Sequence, residues 1–514
     1  MMATLRYTAL TLLVIALTIM ISRFIFVLPP NEKTQGTHLP PVETGPLAEA
    51  LIPQLRQHEG KTGIAPLQSG GDAFAARMIL ADAAVSSIDA QYYIWHDDLT
   101  GLLLLDALKR AANRGVRVRL LLDDNGTSGL DPEIAALDAH PMAEVRLYNP
   151  FNLRRFKLLS YGFDFFRLNR RMHNKSFTVD SRATILGGRN VGNEYFDTGL
   201  MPLYIDLDAL AVGKVVSEVS QDFDRYWNSR SVHAAAPIVG APPQDDPIAS
   251  RLASFQGDPQ IGEYRDILNS LDIVGALARG TIELEWTDVL LISDDPAKGE
   301  GVVPRDDLLA VRLMQAVGNV ETRFDGISPY FVPGVAGVEF FAGLVRDGVE
   351  VRLLTNSLEA TDVLPVHAGY SKRRKAMLDA DISLYELRRQ AALDAPRDVM
   401  GPFGSSGASL HAKTFAVDEQ RIFIGSFNFD PRSTSINTEM GLLIDSRTLA
   451  GQMHRAFDNG FGGLAWKVEK RNRDLIWISA EKPGAQPRMD EPGGSFLRRV
   501  AVTVIGWLPV EWML

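Results

Sequence analysis

One pattern of residues occurs twice in this chain, and it constrains the fold more than any other feature of the sequence. The first copy reads MHNKSFTVDSRATILGGRN and the second reads LHAKTFAVDEQRIFIGSFN. In both copies, lysine, aspartate, glycine and asparagine follow the histidine at identical offsets. A repeat with this spacing indicates two structurally equivalent halves. The polar members are His173, Lys175, Asp180 and Asn190 in the first copy, and His411, Lys413, Asp418 and Asn428 in the second.

The residues around the two copies predict an α/β fold. Each half begins with a β-rich segment, at residues 86–95 or 320–332, and continues through a helical pattern into a buried strand at 114–124 or 347–357. Alternating strands and helices favour a largely parallel sheet that is covered by helices on both faces.

The length of the chain also favours two domains, because 514 residues exceed what one hydrophobic core usually organises. The composition changes at residues 233–247, where Pro, Gly and Ala are typical of a linker. We therefore predict one domain at residues 48–232 and a second at residues 262–470.

The repeated residues have the chemistry of a phosphoryl-transfer site. A histidine and a lysine two positions apart on a strand project from the same face, so both reach one site. The small residues at 187–188 and 425–426 are expected to bring backbone N–H groups close to the same ligand. Histidine can serve as a nucleophile or proton carrier, while lysine and asparagine neutralise phosphoryl oxygens.

Other kinds of site fit the sequence less well. A single His-x-Lys would be read as a surface histidine beside a solvated lysine, but two matched copies favour a site. Lysine is not a usual metal ligand, and the chain has no cysteine, so we predict neither a metal nor another cofactor. The net charge of −10 gives no general attraction to nucleic acid, and no nucleic-acid partner is expected.

The two motifs resemble the HxKxxxxD signature of the phospholipase D superfamily, each followed by that family's G[GS]xN element. The strings RMHNKSFTVD, GGRNVGNEYF, ISPYFVPG and GSFNFDPRSTSINTE are similar to bacterial cardiolipin synthases, above all those of the cardiolipin synthase C type. The resemblance covers nearly all of the chain after residue 46. It implies two duplicated phospholipase D-like α/β sandwich domains, related by a pseudo-twofold axis, with both histidines at one phosphate.

The resemblance also implies roles for the site residues. His173 would attack phosphorus and form a phosphohistidine, and His411 would act as general acid and base, although the reverse assignment stays open. The phosphoryl oxygens would be held by Lys175, Lys413, Asn190 and Asn428.

In the family, a carboxylate downstream of each asparagine orients each histidine. Glu439 occupies that place in the second half, and Asp206 is the candidate partner of His173 in the first half, where the spacing differs. Asp180 and Asp418 are interpreted as architectural residues of the turn after the histidine segment.

The implied function is that of a phosphatidyltransferase, which makes cardiolipin from phosphatidylglycerol and a second phospholipid such as phosphatidylethanolamine. A phospholipase D hydrolase is the main alternative, because only the exclusion of water decides between an alcohol and water as the acceptor. A nuclease with the same half-sites and a non-catalytic lipid-binding protein are further alternatives.

Two segments are predicted to meet a membrane, and a third either does so or packs on the protein. Residues 1–30 contain an apolar run long enough to anchor the protein in the bacterial inner membrane, but flanking charges do not fix its orientation. Residues 151–171 combine six basic and six aromatic residues, which suits an anionic leaflet. The apolar residues 490–514 either lie in the interface or pack on the body of the protein.

Overall fold

The computed structural model describes residues 2–196, 204–255, 257, 262, 273–279, 281–389, 409–479 and 486–514. Within this part of the chain, two mixed sheets of nine strands each form the framework, and helices pack against them. The helices are α1 (Met2–Ile25), α2 (Pro46–Gln57), α3 (Gly70–Ala83), α4 (Leu99–Asn113), α5 (Asp131–Asp138), α6 (Lys157–Leu168), α7 (Lys214–Trp227), α8 (Ala236–Val239), α9 (Pro247–Ser254), α10 (Ile273–Arg279), α11 (Leu309–Val317), α12 (Gly334–Arg346), α13 (Leu364–Ser371), α14 (Arg374–Asp379), α15 (Pro431–Ser435), α16 (Arg447–Asp458) and α17 (Phe496–Trp507).

The strands divide between the two sheets and one short two-stranded pairing. They are β1 (Thr62–Leu67), β2 (Ser87–Ile94), β3 (Arg117–Gly126), β4 (Ala143–Tyr148), β5 (Ser176–Val179), β6 (Ala183–Gly187), β7 (Tyr204–Ile205), β8 (Asp208–Gly213), β9 (Val232–Ala234), β10 (Glu285–Thr287), β11 (Val289–Ser293), β12 (Arg323–Ile327), β13 (Glu350–Asn356), β14 (Ser383–Leu387), β15 (Ser409–Leu410), β16 (Thr414–Val417), β17 (Arg421–Gly425), β18 (Met440–Asp445), β19 (Ala465–Arg471) and β20 (Asp474–Ser479).

The two sheets repeat the same topology. The first has the order β10-β1-β8-β6-β5-β2-β3-β4-β9, and the second has the order β11-β18-β17-β16-β12-β13-β14-β19-β20. The run from β1 to β9 in the first order matches the run from β11 to β19 in the second, with the same strand directions at each step. The predicted duplication therefore extends through the whole framework.

The expectation of a largely parallel sheet is wrong. Within the two nine-stranded sheets, only β2, β3 and β4, and their counterparts β12, β13 and β14, run parallel to one another, whereas the other neighbouring strands of these sheets pair antiparallel. The physical reason is the tight hairpin after each histidine segment. Asp180 and Ser181 have φ values of 53° and 51°, and Asp418 and Glu419 both have 52°. Left-handed residues in a short loop turn the chain directly back on itself.

Asp180 and Asp418 join these hairpins to the neighbouring strands. The carboxylate of Asp180 accepts hydrogen bonds from the backbone N–H groups of residues 85–87, at 2.8 to 3.0 Å for the shortest contact with each. Asp418 accepts in the same way from residues 321–323, at 2.7 to 3.0 Å. Their contacts are with the framework, as expected of architectural residues.

A buried ion pair between neighbouring parallel strands is also duplicated. Arg119 on β3 donates to both carboxylate oxygens of Asp89 on β2, at 2.7 and 2.8 Å. Arg352 on β13 makes the equivalent fork with Asp325 on β12. A bidentate geometry satisfies the buried charges, which would otherwise be strongly destabilising. Sequence analysis missed this pair, although both aspartates and both arginines lie in the aligned β segments.

The domain boundaries differ from those predicted. Ile248 of α9, together with Ile273 and Leu277 of α10, belongs to the core of the first half, and β10 pairs with β1. The residues predicted as a linker, and the first part of the predicted second domain, therefore pack on the first sheet. The second sheet continues to Ser479, beyond the predicted end at residue 470.

Four of the six basic side chains in residues 151–171 form ion pairs within the protein, whereas Arg155 is exposed, so fewer charges are free than the composition predicts. Arg154 forms ion pairs with Asp124 and Asp131, and the buried Arg171 donates to Asp123 at 3.0 Å. These charges are neutralised within the protein because the carboxylates come from β3 and α5, which are distant in sequence. The exposed side chains of this segment are instead largely apolar: Phe156, Leu158, Leu159 and Phe166.

The two terminal segments are both helical. In α1, residues Thr4–Ile25 are apolar and long enough to cross a membrane, and none of the most apolar stretch is buried. In α17, Val502 packs against Leu358 and Ala368, while Phe496, Leu497 and Trp507 are exposed. The C-terminal segment therefore packs on the body through one face and leaves an apolar face uncovered.

We expect Asp180→Asn to lower the free energy of unfolding by about 1–3 kcal/mol, because an amide cannot accept all three backbone hydrogen bonds. Urea unfolding measures this loss. Asp82→Asn, which removes an exposed charge paired with Arg110, should change the stability by less than about 0.5 kcal/mol. Normal stability together with lost turnover in Asp180→Asn would contradict the architectural role.

Candidate active site

The two repeated motifs meet at one place because short backbone segments of one half pair with segments of the other half. β7 pairs in parallel with β15, and Met172 forms the equivalent bridge with Thr438. As a result, the backbone N–H of His173 donates to the carbonyl of Thr438 at 2.9 Å, and that of His411 donates to Ile205 at 2.7 Å. The histidines and lysines lie just before β5 and β16, not within the strands themselves.

Each histidine is oriented by a carboxylate from the opposite half. His173 Nδ1 lies 2.8 Å from Glu439 Oε2, and His411 Nδ1 lies 2.6 Å from Asp206 Oδ2. The sequence prediction paired each histidine with the carboxylate of its own half, and this pairing is wrong. The reason is the backbone pairing between the halves, which brings the residue before each carboxylate to the histidine of the other half. A carboxylate at Nδ1 leaves Nε2 as the nitrogen available for chemistry.

The small residues of the motif make room for these carboxylates. A Cβ atom on Gly188 would lie 2.2 Å from Asp206 Oδ1, so no larger residue fits there. Ser426 takes the equivalent place and donates its hydroxyl to Glu439. The backbone N–H groups of Gly188 and Ser426 already bond to Leu207 and Met440. The expectation that these N–H groups cradle the ligand is therefore wrong.

Two buried lysines stand beside the histidines. Lys175 Nζ donates to the carbonyl oxygen of His173 at 2.6 Å, and Lys413 does the same to His411. Burial lowers the pKa of Lys413 to about 8 and that of Lys175 well below its ordinary value. A bound phosphate group would raise the pKa of both amines, because an opposite charge at short range favours the protonated form.

The two asparagines differ in their surroundings. Asn190 accepts from the backbone N–H of Ile94 at 3.2 Å and donates to the hydroxyl of Tyr195 at 3.0 Å. Asn428 is buried, and its Oδ1 has no hydrogen-bond partner among the described residues. Both remain candidates for holding phosphoryl oxygens, and Asn428 has more unused bonding capacity.

The electrostatic environment distinguishes the two histidines. Burial lowers the pKa of His173 well below its ordinary value, and Lys175, Lys413 and His411 lower it further. Burial and Lys413 also lower the pKa of His411, but Asp206 raises it. A neutral imidazole suits a nucleophile, whereas a histidine whose proton is stabilised by a carboxylate suits an acid.

The two carboxylates also differ. Burial raises the pKa of Glu439 to about 7, against the opposing charge of Lys175. Asp206 is equally buried, yet His411 and Lys413 hold the pKa of its carboxyl below the usual range. Asp206 therefore stays ionised beside His411, while Glu439 lies close to its titration point at neutral pH.

Aromatic residues that sequence analysis did not single out surround the histidines. The ring of Tyr93 meets His173 edge-on at 5.0 Å, while Tyr195 and Tyr204 lie 5.2 and 5.0 Å from His411. The sequence could have indicated Tyr204 as a site residue, because it lies two positions before the candidate carboxylate Asp206.

One group of potential metal ligands occurs in the described part of the chain, formed by His96, Asp98 and Glu194. Asp98 already accepts from the backbone of Asn193 and caps α4 through Gly101. His96 pairs with Glu194 at 3.0 Å. This group includes none of the repeated histidines, and the independence of the reaction from metal stays a prediction.

Comparison with known families agrees with this geometry. The family model described as "Cardiolipin synthase, PLD-like domain" matches residues 78–227 and 313–460, which together make up more than half of the chain. The chain belongs to this phospholipase D-like family of cardiolipin synthases and is a phosphatidyltransferase of that superfamily.

Individual relatives narrow the position within the family. Cardiolipin synthase C of Escherichia coli is 47% identical over 472 residues, covering 91% of this chain and 99% of that protein. Cardiolipin synthase A of Pseudomonas entomophila is 26% identical over 432 residues, covering 82% and 72% of the two chains. The predicted family, fold class and enzyme class are thereby confirmed.

The fold also occurs in a solved structure. The crystal structure of phosphatidylserine synthase from Haemophilus influenzae superimposes with a TM-score of 0.54, at 15% sequence identity, over 90% of this chain and 99% of that one. This likeness concerns the fold, with its two halves, and not the substrate.

The crossed pairing predicts different defects for the two carboxylate variants. Asp206→Asn should lower turnover of a phospholipid about 100-fold or more, because His411 loses the partner that stabilises its proton. The defect should shrink when p-nitrophenol is the leaving group, since that group departs without a proton. Glu439→Gln should impair both substrates equally, because it acts through His173. Steady-state rates with both substrates test this, and the opposite pattern would favour the uncrossed pairing.

Proposed function

We propose that this protein transfers a phosphatidyl group to the headgroup hydroxyl of phosphatidylglycerol and so makes cardiolipin. The donor is a second phosphatidylglycerol or a phosphatidylethanolamine. The observation that carries the proposal is the pair of histidines, each completed by a carboxylate of the other half, beside two buried lysines. The identity to cardiolipin synthase C of Escherichia coli supports the choice of product.

The first step forms a phosphohistidine. Nε2 of His173 attacks the donor phosphorus, a P–N bond forms, and the P–O bond to the headgroup alcohol breaks. The departing oxygen takes a proton from His411. Lys175 and Lys413 stabilise the charge on the phosphoryl oxygens during this step.

The second step releases the product. The acceptor hydroxyl gives its proton to His411, its oxygen attacks phosphorus, and the P–N bond to His173 breaks. Both histidines return to their starting states. Water in place of the alcohol would give phosphatidic acid, the product of the hydrolase alternative, and the products formed from labelled phosphatidylglycerol distinguish the two activities.

The assignment of the histidines gives a trapping experiment. With a p-nitrophenol leaving group, His411→Ala should still accept the phosphatidyl group on His173 but should not pass it on, because no base activates the acceptor. A labelled phosphatidyl group should therefore accumulate on this variant and not on His173→Ala. Neither variant should turn over phospholipid, whereas His140→Asn at the surface should match the wild type, and a chelator should have no effect.

Label on His173→Ala instead of His411→Ala would reverse the assignment of the two residues. Appreciable phospholipid turnover by either variant would contradict a shared site. Loss of wild-type turnover in the presence of a chelator, with recovery on adding a divalent metal, would contradict the metal-free mechanism.

We also propose that α1 anchors the protein in the bacterial inner membrane and that α6 lies in the membrane interface beside it. Arg23 of α1 donates to the carbonyl of Phe163 at 2.7 Å, and the rings of Phe26 and Phe163 lie 5.7 Å apart. Leu158 and Phe166 of α6 are 83% and 73% exposed. Apolar side chains next to an anchor helix are stabilised by insertion at the headgroup boundary.

The absence of cysteine from the sequence allows a direct test of this contact. Leu158→Cys and Phe166→Cys, labelled with a polarity-sensitive fluorophore in full-length protein in anionic vesicles, should show blue-shifted emission. Glu339→Cys on α12 serves as the solvent-exposed control. Identical emission at all three positions would contradict the interfacial location of α6.

A further inference from the structure

A single exposed carboxylate lies at the edge of the site next to His411. The hydroxyls of Tyr330 and Tyr204 both donate to Oδ2 of Asp362, at 2.7 and 3.1 Å. Oδ1 of the same carboxylate has no hydrogen-bond donor among the described residues. The two tyrosines therefore fix the carboxylate and leave one of its oxygens available to a ligand.

The tyrosines connect this carboxylate to the proposed acid and base. The Tyr204 and Tyr330 rings lie 5.0 and 6.4 Å from the imidazole of His411. Lys413 Nζ lies 5.9 Å from the centre of the Tyr330 ring. Asp362 is therefore connected to the His411 side of the site through both tyrosines.

The opposite side of the site lacks such a group. Tyr93 contacts His173 and Lys175 in the corresponding way, at 5.0 and 5.5 Å. Its hydroxyl meets only the side-chain amide of Asn125 at 3.4 Å, and no carboxylate is hydrogen-bonded to it in the described part of the chain. Among the described residues, a carboxylate bonded to the tyrosines is thus found on the His411 side and not on the His173 side.

We propose that Asp362, held by Tyr204 and Tyr330, binds a second hydrogen-bond donor on the alcohol that reacts beside His411. This inference rests on the proposed transferase function and adds a headgroup subsite to it. The ligand chemistry is a hydroxyl with a neighbouring donor, either the second hydroxyl of a glycerol headgroup or the ammonium of ethanolamine. The lysines attract the phosphate, whereas the free carboxylate oxygen accepts from the alcohol.

Such a subsite favours transfer over hydrolysis. An alcohol held at two points is positioned for attack on the phosphohistidine, whereas water gains nothing from Asp362. The preference should therefore appear in the choice of acceptor and not in the formation of the phosphohistidine.

The test uses full-length protein and a short-chain phosphatidyl donor with p-nitrophenol as the leaving group, which carries no second donor. Acceptors are 1-propanol, glycerol and ethanolamine, and products are separated from phosphatidic acid. The wild type should prefer glycerol or ethanolamine to propanol. Asp362→Asn and Asp362→Ala should reduce that preference about tenfold or more, with an unchanged first-turnover release of p-nitrophenol, which reports the formation of the phosphohistidine alone. Glu339→Gln, an exposed carboxylate elsewhere on the same half, should behave as the wild type.

The acceptor with the larger loss identifies the preferred donor group, hydroxyl or ammonium, and either result supports the subsite. An unchanged preference in both variants would overturn it, as would an equal loss of p-nitrophenol release, which marks general damage. A wild-type protein that only hydrolyses the donor would overturn the transferase function itself, and the subsite with it.

Discussion

The hydrogen bond between each histidine and a carboxylate of the other half is the interaction on which this structure depends. The backbone N–H of each histidine bonds to a carbonyl of the other half. The residue that follows this carbonyl in the sequence supplies the carboxylate that contacts the histidine. Ionisable groups this deeply buried are tolerated only when each has a partner. The pseudo-twofold arrangement provides those partners reciprocally, so neither half contains a complete catalytic unit.

The sequence was sufficient to select residues that the fold brings together, but not to pair each histidine with its carboxylate. The repeated sequence separations within each half were enough to select His173, Lys175 and their counterparts without any structural information. They carry no information about contacts between the halves. The hydrogen bond from His173 to Glu439 joins residues 266 positions apart, and no local spacing encodes such a contact. Asp206 was therefore selected as an orienting carboxylate for His173, whereas in the structure it contacts His411.

Two further differences between the sequence predictions and the structure, in the strand directions and in residues 151–171, have related physical causes. The sheets are mixed because a left-handed hairpin follows each motif, and an alternation of strands and helices does not reveal strand direction. The basic residues of 151–171 looked available for lipid because composition counts charges without their partners. In the folded protein, Asp123, Asp124 and Asp131 neutralise several of them, and the exposed side chains of the segment are largely apolar.

Only Asp288 separates the last strand of the first sheet from the first strand of the second. Its side chain pairs with Lys61 at 2.7 Å, and its carbonyl accepts from the backbone of Asp445 at 3.0 Å, so both halves hold it. A connection this short and this well bonded is a poor hinge. The two halves, and the histidine segment that each contributes, are therefore held in one relative position at this connection.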